Sequence, residues 1–209
     1  MTTDLTSKVS PNCLGVLSQA VAFYQGQTNQ RPSPSLVVDA LLQVEKAAKQ
    51  QRLTYPFEPL LGQWRLCFTT GTKKLRKRGG IALGKGFYMP KLTPAHISFS
   101  ATPQAEDTNP GRGEITNSIQ LGPMILMFEG LAQYLGKKNL LAFDFTRLQL
   151  RLFGRVIYSG NVRGGQVQAE NFYNQSIAKL PFFAFFLVTE NFIAARGRGG
   201  GLALWIREQ

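Results

Sequence analysis

The chain is poor in the residues that most catalytic and metal chemistry requires. It has two cysteines, Cys13 and Cys67, and one histidine, His96, which excludes a disulfide framework and most transition-metal clusters. Acid is scarce: 12 Asp and Glu against 24 Lys and Arg in 209 residues give a net charge of +12, and an anionic partner or surface is expected. Charged residues make up 17% of the chain and hydrophobic ones 44%, so disorder throughout is excluded, because there is ample apolar surface to offset chain entropy. No run approaches the ~18 to 20 uncharged apolar residues of a membrane-spanning helix. Residues 1–12 show neither the apolar stretch of a secretory signal nor the Arg/Ser-rich, acid-poor make-up of a transit peptide. A cytoplasmic, reducing setting is therefore expected.

The positive charge is concentrated. Residues 59–105 hold eight Lys and Arg and no acid, and five of the eight are Lys73, Lys74, Arg76, Lys77 and Arg78. A solvated loop is one reading of such a run, and a contact for an anionic membrane is the other.

Two helices are expected first, each opened by serine then proline, Ser10-Pro11 and Ser33-Pro34. Serine accepts from the first free amides, and proline has no donor to lose at the first helical position. Leu14, Leu17, Val21 and Tyr24 recur at helical spacing before Gly26; Val37, Leu41, Val44 and Ala48 line one face of the second helix, with Asp39, Glu45, Lys46 and Lys49 elsewhere. Residues 1–57 are read as a helical extension and residues 58–209 as the main domain.

From Leu60 the period changes to two. Trp64, Leu66 and Phe68 alternate with Arg65, Cys67 and Thr69, and Leu202, Leu204 and Ile206 with Ala203, Trp205 and Arg207. Ile115, Asn117, Ile119 and Leu121 share a face, as do Leu141, Phe143 and Phe145, and again Leu148, Leu150 and Leu152. Turn residues recur between these runs. The expected fold is mainly β: an antiparallel lipocalin-like barrel of about eight strands with an N-terminal helical extension. First and last strands pair in such a barrel, so Arg207 is expected to cover Trp64.

No catalytic constellation assembles, and no cofactor, metal or catalytic residue is expected. Gly79-Gly80-Ile81-Ala82-Leu83-Gly84-Lys85-Gly86 approaches a phosphate-binding loop, but Gly86 stands where Ser or Thr must reach magnesium; a glycine-rich turn is the alternative. Cys67 and His96 are candidates for a thiol–imidazole pair, although a cysteine in a strand is usually a small buried hydrophobe. The carboxylates Glu106, Asp107, Glu129, Asp144, Glu170 and Glu190 are scattered.

The string Gly62-Gln63-Trp64-Arg65-Leu66-Cys67-Phe68-Thr69-Thr70-Gly71-Thr72-Lys73-Lys74 resembles the opening strand of the plastid lipid-associated protein (fibrillin) family, in its harpin-binding-protein-like branch. Glu190-Asn191-Phe192-Ile193-Ala194-Ala195-Arg196-Gly197-Arg198-Gly199-Gly200 with Leu202-Ala203-Leu204-Trp205 resembles its closing hairpin, and Leu121-Gly122-Pro123 and Phe128-Glu129-Gly130 its turns and strands. The resemblance implies a non-enzymatic binder of carotenoids, prenylquinones or other lipids, peripheral on the photosynthetic (thylakoid) membrane, in this case a cyanobacterial homologue. A protein partner in lipid or quinone metabolism is compatible with it. The departure from the pattern is Asn191, where family members often carry a second acid beside Glu190.

The ligand-binding residues expected are Trp64, Phe68, Phe143, Phe145, Tyr158, Phe183, Phe185, Trp205 and Arg207, with Phe99, Met124 and Leu126 and several of Phe182, Phe183, Phe185 and Phe186 lining the interior. Nine of the 15 phenylalanines follow residue 140, and residues 181–188 are apolar on both faces, which suits a strand buried on both sides or a lip facing lipid. The competing functions are a protein-docking scaffold at membranes and an RNA-binding module built on the basic run and Arg196-Gly197-Arg198-Gly199-Gly200-Gly201. RNA is disfavoured because that segment has two arginines and sits between strand-like runs, where a hairpin explains the glycines.

Overall fold

The computed structural model describes residues 11–74, 81–102, 111–162 and 171–208. Two helices, α1 (Pro11–Gln25) and α2 (Pro34–Gln50), precede ten strands: β1 Gly62–Lys74, β2 Ile81–Tyr88, β3 Ala95–Ala101, β4 Arg112–Leu121, β5 Met124–Leu135, β6 Leu140–Leu152, β7 Arg155–Asn161, β8 Phe182–Val188, β9 Phe192–Gly197 and β10 Leu202–Arg207. Eight of them close into an antiparallel barrel in the order β1, β3, β4, β5, β6, β8, β9, β10, with β10 pairing back onto β1. Closure gives each of these eight strands a partner on both sides. The remaining two, β2 and β7, lie outside the ring. Each pairs with the far part of a long strand, β2 with β1 and β7 with β6.

This arrangement gives the barrel two unlike ends. Strands β1, β4 and β6 run in the same direction round an antiparallel ring, so their ends at Lys74, Leu121 and Leu152 all lie away from the end where β1 begins. Two extensions leave the barrel on that side: the β1–β2 hairpin and a flap made of the far parts of β4, β5 and β6 together with β7.

Both helices form where they are expected; Ser10, read as the cap of the first, lies outside the described residues, whereas the cap of the second is seen. Ser33 Oγ accepts from the Leu36 amide at 3.3 Å, and Gly26 follows α1 with φ +82°. Leu17, Val21, Tyr24, Val37, Leu41, Val44 and Ala48 are buried against Cys67, Phe68, Leu187, Leu202 and Leu204 on the outer wall of the barrel. Glu45, expected off the buried face, is itself buried: Arg196 on β9 reaches it with Nε to Oε1 at 2.8 Å and a second contact through Nη2, and Lys49 Nζ lies 2.8 Å away. Its carboxyl, which burial raises, is held below its ordinary range because the hydrogen bonds from Arg196 and Lys49 outweigh that effect. This pair clamps α2 to the barrel.

Two large cores and one small one form among the described residues, the two large ones divided by the barrel wall. The inner one gathers Leu60, Trp64, Ile97, Phe99, Ile115, Leu141, Phe143, Phe185, Ile193 and Trp205. β8 is apolar on both faces because it borders both: Phe183 and Phe185 turn inward, whereas Leu187 and Phe186 meet the helix-side core and Phe182 a third cluster with Ala142, Phe172 and Leu180. The glycine-rich run read as a turn is instead a strand from Ile81 onward. Gly86 is required there by packing, since a Cβ would lie 2.1 Å from the Phe68 ring. The Arg/Gly segment is the β9–β10 hairpin, with Gly200 at φ +86°. Among the described residues no helix is long and apolar enough to cross a membrane.

Candidate ligand-binding site

The floor of the barrel is built on β1 and β10. Trp64 and Arg207 are register partners, and the guanidinium stacks 4.0 Å over the indole, as the pairing of first and last strands predicts. Arg207 donates to Pro59 O at 2.7 Å, Leu61 O at 3.0 Å and Glu190 O at 2.7 Å. Trp64 Nε1 donates to Leu60 O at 2.7 Å. With these donors on backbone carbonyls, both side chains close the floor. Gly62 holds φ at +108°, and a Cβ there would lie 3.2 Å from Arg207 Nη1.

Above the floor an aromatic series climbs the inner wall. Phe143 stacks on Phe183 with centroids 5.0 Å apart, Phe183 meets the Trp205 edge at 5.4 Å, and Phe143 leads to Phe145 at 5.2 Å and on to Phe128 at 5.6 Å. Phe185 reaches Phe99 at 6.0 Å. Burial declines along this series. Trp64, Ile115, Leu141 and Ile193 are fully buried, whereas Leu66, Phe145, Phe183 and Ala203 are only partly so. The rings at the mouth therefore keep accessible apolar surface.

The same inward face continues beyond the barrel. Ile115, Gly130 and Phe145 stand opposite one another across β4, β5 and β6. Cross-strand partners share a face, so three further rows extend it outward. These are Asn117, Phe128 and Leu148; then Ile119, Leu126, Leu150 and Tyr158; then Leu121, Met124 and Leu152. Arg155 pairs with Leu152 and shares the last row, and the buried Ile97 and Ala95 of β3 pair with Asn117 and Ile119. Apart from Asn117 and Arg155 the flap side chains in these rows are apolar or aromatic, and those on β4, β5, β6 and β7 all keep some exposure. At Gly130 a Cβ would fall 1.8 Å from Asp144 O, where β6 bulges at the turn from barrel to flap.

The structure thus brings together seven of the nine expected ligand residues: Trp64 and Arg207 at the floor, and Phe143, Phe145, Phe183, Phe185 and Trp205 on the wall. Phe68 is placed differently. A β-bulge between Leu66 and Phe68 reverses the alternation of β1, so Leu66 faces inward and Phe68 packs under the helices. Tyr158 lies outside the ring on β7, 54% exposed, on the flap continuation of the inward face. Phe128 and Leu66 are lining residues that sequence reasoning misses; the alternation of Leu126, Phe128 and Gly130 is the signal for the first. Lys73 and Lys74 end β1, and Arg76, Lys77 and Arg78 lie outside the described residues.

Among the described residues, three grooves open elsewhere. One of about 570 Å³ separates α2 from β2 beside Val38 and Gly86. Another of about 330 Å³ lies between Lys49, Arg52 and Lys138, and a third of about 340 Å³ lies between Glu114, Glu129 and Arg147. None of the three is lined by Phe143, Phe145 or Phe183. Cys67 does not meet His96: its thiol points to Ala20 O at 3.9 Å and burial pushes it up to about 12, while His96 lies 3.6 Å from Glu208. Among the described residues no three His, Cys, Asp or Glu side chains gather as a metal site.

No protein-family model matches the chain, and no curated protein matches it.

Proposed function

We propose that the protein binds and carries a hydrophobic small molecule, a prenylquinone, carotenoid or other lipid, without acting on it chemically. The observation that carries this reading is the apolar face running from the half-buried rings at the barrel mouth out along the flap. A monomeric soluble fold gains nothing by leaving so long an apolar strip in contact with water. A guest with ~16 methylenes gains on the order of 13 kcal/mol gross at ~0.8 kcal/mol per group, and association removes several kcal/mol of it. Affinity then rests on apolar contact and selectivity on shape. The resemblance of β1 and the β9–β10 hairpin to the fibrillin family supports the same reading and a place on the surface of a photosynthetic membrane. In that setting the basic run that follows β1 holds the barrel against anionic lipid, each Lys or Arg contributing ~1 kcal/mol near the surface.

The test is extraction of the purified protein with organic solvent, with visible and ultraviolet spectra recorded before and after nuclease treatment. Coextracted pigment, quinone or acyl lipid is the expected result. Nuclease-sensitive absorbance with no organic extract would replace this reading with nucleic-acid binding.

A further inference from the structure

The flap ends in two hairpin turns placed side by side. One joins β4 to β5 through Gly122 and Pro123, the other joins β6 to β7 through Phe153 and Gly154. The Phe153 amide donates to Pro123 O at 3.0 Å and ties the turns together. Phe153 is 79% exposed and holds φ at +48°. A bulky residue seldom adopts that left-handed conformation, which Asn and Gly occupy at lower cost. Neither packing nor backbone geometry accounts for a phenylalanine here. Leu121, Val156 and Ile157 are exposed beside it.

Among the described residues, the charges flanking this apolar tip have one sign. Arg151 and Arg155 flank it, and the nearest acid along the flap strands, Glu129, lies further back, where it faces Arg147 at 3.9 Å. Strand direction also puts the tip on the same side of the barrel as the end of β1, after which the chain carries Arg76, Lys77 and Arg78. Exposed aromatic and aliphatic side chains with arginines behind them suit the interface of an anionic bilayer, where rings sit at headgroup depth and cations meet phosphate or sulfonate.

We infer that the paired turns around Phe153 dip into the interface of an anionic membrane, so that the inward face of the flap, apolar apart from Asn117 and Arg155, leads from bilayer to barrel mouth. This rests on the membrane-surface reading above but concerns a different surface from the basic run.

Phe153→Asn is the informative variant, because asparagine suits the backbone at that position. It is expected to melt at the same temperature as the parent or higher, and to partition at least fivefold more weakly onto phosphatidylglycerol vesicles. Arg151→Gln with Arg155→Gln is expected to lose much of the salt dependence of that partitioning. Phe153→Trp supplies a direct probe: the added indole emission is expected to shift to the blue on adding phosphatidylglycerol vesicles and to be quenched by lipids brominated on the acyl chain. Undiminished vesicle binding by Phe153→Asn would overturn the inference, as would emission of the Phe153→Trp variant that vesicles leave unmoved. So would concentration-dependent dimerisation that Phe153→Asn abolishes, which assigns the tip to a second copy of the chain. Because Phe153 lies outside the barrel, Phe153→Asn is expected to retain any extractable guest. Loss of vesicle penetration with a guest still present separates the two claims, and a vesicle-penetrating protein that never yields or binds a guest overturns only the reading of the barrel.

Discussion

Strands β4 and β5 pass through two environments with an unbroken alternation of side chains, and β6 resumes it after the bulge that follows Phe145. In the barrel their inward residues, Ile115, Ala132, Tyr134 and Leu141, are buried in one core. In the flap the continuing rows are apolar apart from Asn117 and Arg155 but remain in partial contact with solvent. Local sequence pattern therefore does not decide burial; ring closure does. Where β8, β9, β10 and β1 complete the circle, an apolar face has an opposite wall at the distance of two side chains. Where β6 outruns β8 and takes the short β7 as its partner, that wall is missing from the described residues, and the same kind of face becomes a surface suited to a guest or a lipid.

Truncation at the two ends measures this contrast most strongly. Trp64→Ala at the floor removes a fully buried indole and leaves the Arg207 guanidinium uncovered; it is expected to cost about 3–5 kcal/mol in urea unfolding. Removing the clamp between helix and barrel comes next. Glu45→Gln strands Arg196 and is expected to cost about 3 kcal/mol. Its pH signature follows from the depressed carboxyl. The stabilisation is complete above the ordinary glutamate value of 4.5 and is lost as pH falls through the lower folded value. The parent's urea midpoint should therefore drop in that acid window, and the variant should lack this component. At the mouth, Phe145→Ala is expected to cost only about 1–2 kcal/mol, because its ring is partly exposed already. A loss as large as that of Trp64→Ala would show that the mouth is packed like the floor and would break the contrast. Smallest is a kinetic effect with no change in stability. In a Cys13→Ser background, the Cys67 thiol, raised to about 12 by burial, is expected to resist alkylation at pH 8 until the protein unfolds.

Much of this architecture is legible in the sequence. Serine–proline pairs and 3.6-residue spacing mark both helices, and period two marks the strands and the faces of residues 115–121, 141–145 and 148–152. The stacking of Arg207 on Trp64 follows from pairing the first strand with the last. What escapes are features that alternation does not encode. The bulge at Cys67 turns Phe68 to the helix side, because one extra residue in a ladder inverts every side chain after it. The exclusion of β2 and β7 from the ring is equally hidden: a strand pairing on one edge reads like one pairing on two. Helical spacing sets Glu45 on the solvent side because its partner Arg196 lies 151 positions away on another element. The flap itself reads as barrel wall, which is why Tyr158 is expected inside.

The most direct measurement places a reporter where the guest should lie. The chain has two tryptophans; Trp205 touches Phe183 on the wall, and Trp64→Phe leaves Trp205 as the single emitter. Titration with a long-chain fatty acid brominated near mid-chain should then quench Trp205 fluorescence to saturation at about one ligand per protein, with affinity reduced in a Phe145→Asp background. Emission that stays constant through the titration, or quenching that rises linearly and is indifferent to residue 145, would contradict a guest site in the barrel mouth.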